Sequence, residues 1–102
     1  MNLPVEIWVV FGSTGEYSDR SEWMVAGYTT KEAAEQHRDA CRKWYDDNGG
    51  VELRHTYWRD NAQKNPLDPD MSVDYTGTAW DVFPLTLYDA VPKSLAQRAV
   101  PR

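Results

Sequence analysis

The amino-acid sequence predicts a small α+β domain, with one amphipathic helix packed on one face of a mainly antiparallel sheet. The expected order is strand, strand, helix, strand, strand. Three observations carry that expectation. Two apolar runs flank a turn-rich stretch between residues 7 and 30. A capped segment with apolar residues at three- and four-residue steps follows directly. Two more extended stretches, 51–58 and 74–87, close the domain.

The first strand is apolar on both alternating sets, with Val5, Ile7, Val9 and Phe11 on one and Trp8 and Val10 on the other. A run of this kind suits a central strand covered on each side. Residues 12–21 hold two Gly, three Ser, a Thr and an Asp, which is turn chemistry. The apolar run 23–28 resumes too soon for a parallel crossover, so the second strand returns antiparallel. Thr29 with Glu32 fits a capping box, and Ala33, His37, Ala40, Cys41 and Trp44 form an apolar stripe to about residue 47. Gly49 and Gly50 end that helix.

Residues 51–58 alternate, with Val51, Leu53, His55 and Tyr57 against Glu52, Arg54, Thr56 and Trp58, as in a half-buried strand. Residues 59–73 are polar and contain Pro66 and Pro69, which reads as a long exposed loop, functional or mobile. The last strand lies within 74–87, and Pro84 marks an edge, because it cannot donate to a ladder. The domain therefore spans 1–90, and 91–102 form a tail, either a short helical turn between Pro92 and Pro101 or disordered.

A chain of 102 residues is one domain and can bury a single modest core. Five Trp and six Tyr are many for that length, and rings left outside the core tend to mark contact surfaces. Sixteen acidic and eleven basic residues give a net charge of −5, which argues against direct nucleic-acid binding and against a cationic membrane-surface helix. Cys41 is alone, so no disulfide framework is expected, and no signal-peptide pattern or membrane span is seen. The expected setting is the cytoplasm.

Four constellations invite a chemical reading. Gly12-Ser13-Thr14-Gly15 follows an apolar strand, as phosphate- and flavin-cradling loops do, yet Glu16 and Asp19 would repel a phosphate and a strand comes next. His37 and Cys41 lie one helical turn apart, with His55 as a third candidate metal ligand. A structural zinc site wants four ligands, and no second pair exists. Asp68, Asp70 and Asp74 lack the Gly turn and distal Glu of a calcium loop. No nucleophile elbow is present, so no catalytic, cofactor or metal residues are assigned. What remains is a protein-contact patch at the first turn, made of Glu16, Tyr17, Asp19, Arg20, Glu22 and Trp23, with Trp58 as an outlying member. A second patch forms if Trp58 and Trp80 share an outer face.

The apolar strand, the run Ser13-Thr14-Gly15-Glu16-Tyr17-Ser18-Asp19-Arg20-Ser21-Glu22-Trp23, the second strand and Thr29-Thr30-Lys31-Glu32-Ala33-Ala34-Glu35 resemble a pattern in small uncharacterised phage and bacterial proteins. The resemblance covers residues 7–44 and, more loosely, 80–87. It implies a phage or prophage setting and no catalytic residues. The expected function is a small non-enzymatic binding protein acting on a host or phage protein partner. The alternatives are an acidic inhibitor imitating nucleic-acid charge and an enzyme using Glu16, Asp19 or Glu22. A half-wet sheet with a free edge also leaves room for a homodimer.

Overall fold

The computed structural model describes residues 3–92, so the expected tail from residue 93 onward lies outside the described residues. Within them, strand β1 (Val5–Thr14) pairs antiparallel with β2 (Ser21–Tyr28) and with β3 (Thr78–Leu87), giving the sheet order β2-β1-β3. Helix α1 (Lys31–Asp47) joins β2 to the long connection that precedes β3. This is the expected α+β class, with the doubly apolar strand in the centre. β1 and β3 run in continuous register from Val5 opposite Leu87 to Thr14 opposite Thr78. β1 and β2 pair from Trp8 opposite Tyr28 to Thr14 opposite Ser21, with an irregularity that leaves Val25 unpaired. A bulge of this kind bends the strand and increases local twist.

Helix α1 begins one residue later than the sequence suggests. Thr30, not Thr29, is the cap, and its hydroxyl accepts the Ala33 N–H at 3.3 Å. Glu32 thus lies in the first turn, where it complements the helix dipole instead of closing a capping box. The buried face shifts with it, to Ala34, Cys41 and Tyr45 with His37 and Trp44 at its flanks. Gly49 (φ 120°) and Gly50 (φ 57°) then turn the chain, as their position after the helix predicts.

Residues 51–58 are not a strand. Gly50–His55 form a 3-10 helix, with the Glu52 N–H bonded to Gly49 O and the Thr56 N–H to Leu53 O. Val51, Arg54 and Tyr57 turn inward together with Leu53, while His55 stays outside and meets Glu52 at 3.2 Å. The short alternating pattern of these residues also fits the three-residue step of a 3-10 helix. The last strand likewise starts at Thr78, later than residue 74.

α1 covers one face of the sheet, where Val10 and Trp80 pack with Ala34, Cys41, Tyr45, Tyr57 and Met71. Trp80 is fully buried, stacks edge-on against Tyr45 at 5.5 Å, and is held at its carbonyl by Arg42 Nη2 at 2.7 Å. Burying a ring of that size contributes roughly 4–6 kcal/mol of gross transfer free energy. The connection expected to be an exposed loop is folded into this layer: Asn65, Asp68 and Met71 are buried. Its polar groups reach partners, which is the condition for burying irregular backbone.

Candidate contact surface

The first turn is a tight, anchored structure. Gly15 takes φ 87°, and a Cβ there would lie 2.4 Å from Asp19 O, so only glycine fits. A 3-10 turn at Tyr17–Asp19 follows, closed by the Asp19 N–H to Glu16 O at 3.0 Å. Tyr17 adopts φ 52°, uncommon for a residue with a side chain, and is 94% exposed. The turn is clamped to residues 74–77: the Gly15 N–H donates to Thr76 Oγ1 at 3.0 Å, and Thr14 Oγ1 donates to Gly77 O at 2.6 Å and accepts the Asp74 N–H at 2.9 Å. The clamp brings Tyr75, 62% exposed, near Glu16, Asp19 and Asp74. Desolvation and then those three carboxylates raise the pKa of the Tyr75 phenol. One end of the sheet thus carries two exposed tyrosines among three carboxylates.

The expected patch divides between surfaces. Glu16, Tyr17 and Asp19 belong to this end. Arg20 and Glu22 pair with each other at 2.7 Å and border a shallow groove on the sheet with Phe11, Met24 and Phe83. Trp23 faces the other way. Its indole lies over Gly12, where a Cβ would come within 2.5–2.7 Å of three ring atoms, and its N–H donates to Asp68 Oδ2 at 2.7 Å. It tethers the core, where it is half-buried, and it also borders the groove. Trp58 is 73% exposed, with the Arg59 guanidinium 5.6 Å over its ring, and borders a separate hollow with Arg54 and Lys64. It shares no outer face with Trp80, which is fully buried.

The other constellations have structural partners. His37 Nε2 donates to Leu67 O at 2.7 Å, since a carbonyl can only accept, and Nδ1 then accepts the Tyr28 hydroxyl at 2.6 Å. Cys41 is buried with Sγ 3.8 Å from Leu67 O, and burial followed by the charge of Asp68 pushes its thiol up to about 12. His37, Cys41 and His55 do not converge, and among the described residues no group of three His, Cys, Asp or Glu side chains could hold a metal ion. Asp68, Asp70 and Asp74 are likewise apart in role: Asp68 receives both Trp23 and Trp80 indoles, Asp74 accepts the Tyr75 N–H, and Asp70 is solvated. Ser13 and Thr14 continue the β1 ladder, so the candidate phosphate loop is strand followed by an acidic turn.

The sequence pattern does not single out Asn65, and it marks Asp68 only as one of three loop carboxylates, not as the acceptor of two indoles. Asn65 Oδ1 accepts the Leu67 N–H at 3.0 Å, and the Asn65 N–H donates to the Tyr57 hydroxyl at 2.8 Å. A signal was present in Asn65-Pro66-Leu67-Asp68-Pro69, a turn cluster beside a Trp-rich core whose indole N–H groups need acceptors. No family model, curated protein or solved structure matches the chain. No helix among the described residues is long and apolar enough to cross a membrane.

Proposed function

We propose that the protein is a non-enzymatic binding module that engages a basic segment of a partner protein through Tyr17, Tyr75, Glu16, Asp19 and Asp74. The observation that carries this reading is Tyr17, held almost wholly exposed at a left-handed backbone angle by a turn with its own anchors. A side chain carried on an anchored backbone loses less entropy on binding than one on a loose loop, and tyrosine is a frequent interface anchor. Carboxylates around two rings favour a guanidinium or ammonium group, by charge and by cation–π contact. The phage or prophage setting implied by the resemblance directs the search toward bacterial and phage partners.

The alternatives have less support. Charge mimicry needs an unbroken carboxylate stripe, whereas on α1 Glu35 and Asp39 pair with Arg38, Asp39 also meets Arg42, and Asp47 pairs with Lys43. An enzyme using the turn carboxylates needs them in one cleft. Glu16 borders a shallow hollow of about 280 Å³ with Arg20, while Glu22 borders the sheet groove and Asp19 borders neither. The test is a binding screen of arginine- and lysine-rich peptides from bacterial and phage proteins. Expected are binders that weaken with added salt and are lost in the Tyr17→Ala, Tyr75→Ala double variant. A screen that yields none, or binders indifferent to both changes, overturns the reading.

A further inference from the structure

The sheet has two apolar faces, and α1 covers only one. Side chains alternate along a strand, so the partners of Val10 and Trp80 point inward and their neighbours point out. On the outer face Ile7 stands opposite Leu85 and Val9 opposite Phe83, while Phe11 pairs with Met24 on its other side. Phe11 and Phe83 meet edge-on at 4.9 Å, and Ile7 leans over Gly27, with Cδ1 3.5 Å from where a Cβ would stand. Val9, Phe11 and Phe83 stand apart from the buried cluster that α1 helps to form. Met24 is 65% and Leu85 43% exposed. The wet face of an antiparallel sheet ordinarily carries polar residues, and a continuous apolar one marks an interface.

We propose that a second copy of this chain covers that face, sheet against sheet, about a two-fold axis. The dimensions suit such a dimer. β1 and β3 have ten residues each and β2 has eight. At about 3.3 Å per residue and about 4.8 Å between strands, the face measures on the order of 450 Å². Two copies would bury on the order of 900 Å² before side-chain relief is added, close to the roughly 1,000 Å² at which specific interfaces begin. The chemistry suits it as well. Ile7, Val9, Phe11, Met24, Phe83 and Leu85 carry no charge, and the two carboxylates on the same face, Glu22 and Asp81, are each paired within the chain, with Arg20 and Arg42. A partner with a charged surface would leave its charges unpaired there, whereas a second copy presents the same largely apolar surface. The packing is isologous, with the sheets about 10 Å apart.

The experiment measures the mass of the full chain by analytical ultracentrifugation from micromolar to millimolar concentration. It compares the wild type with Met24→Lys and Leu85→Lys, both at exposed positions, and with a chain lacking residues 93–102. Far-UV circular dichroism checks that each variant folds. Expected are a concentration-dependent dimer for the wild type and for the shortened chain, and a folded monomer for each lysine variant. A wild type that is monomeric throughout, or a dimer that survives both lysine variants, overturns the proposal. If only the shortened chain dimerises, residues 93–102 are the occupant and the proposal fails. Loss of peptide binding in the tyrosine variants leaves this dimer unaffected, so the two readings stand or fall separately.

Discussion

Asp68 shows what one buried side chain can organise. A single carboxylate oxygen accepts the Trp23 indole at 2.7 Å and the Trp80 indole at 2.9 Å, and Asp68 is 1% exposed. Removing it leaves two indole donors without an acceptor, one of them fully buried. Hydrogen bonds to a charged group are worth about 1.5–3 kcal/mol each, so Asp68→Ala should cost about 3–5 kcal/mol in urea denaturation. Asp68→Asn, which keeps an acceptor, should cost less. A loss below about 1 kcal/mol for the alanine variant would show that the indoles find other partners. Cys41 supplies a pH effect of definite sign. Its thiol ionises near its ordinary value of 9.0 once unfolded but keeps its proton to about 12 when folded. Between those values the unfolded chain binds fewer protons, so stability falls as pH rises, by up to about 1.4 kcal/mol per unit. The Tyr45 and Tyr57 phenols, raised first by their burial, act in the same direction. Urea midpoints at mildly and strongly alkaline pH should therefore drop less in Cys41→Ala than in the wild type, and equal drops would refute the assignment.

At the scale of elements, legibility followed the strength of the local signal. The hairpin, the central position of β1 and the extent of α1 were readable, because apolar periodicity and glycine punctuation agree there. The cap was off by one because Thr29 and Thr30 are equivalent to a pattern and are separated only by the backbone angles that each adopts. Thr30→Ala should cost about 1 kcal/mol and Thr29→Ala within about 0.5 kcal/mol of nothing, as measured by thermal denaturation. Equal effects would mean that the Thr30 hydroxyl does not cap the helix. Two features were not legible for physical reasons. Residues 51–58 satisfy a strand step and a helical step at once, and the choice is made by packing of Leu53 and Tyr57 against the core. The side of the sheet that Trp23 occupies depends on the irregular register of β2 and on the bare surface of Gly12, neither of which leaves a trace in composition. Of the candidate patch, the part held by turn chemistry was readable, and the part decided by strand register was not.

At the scale of the molecule, the charge of −5 and the apolar stretch of the outer sheet face work against each other. Two copies meet against their mutual repulsion and are held by apolar burial. Added salt should therefore strengthen the dimer, while it weakens capture of a basic peptide at the tyrosine-bearing end. One protein would then show opposite salt responses at two surfaces, which sedimentation and peptide titration read independently. The inner architecture bears on both. β2 and β3 are the two edges of the sheet and are not paired with each other, since β1 lies between them. Trp23 comes from one edge and Trp80 from the other, and they meet on the same oxygen of Asp68 above the bare Gly12. The carboxylate is thus a tie-bar across the helix-covered side of a three-strand plate. By fixing the distance between the rims it limits how far they can move apart, and so constrains from within the shape that the opposite side presents outward.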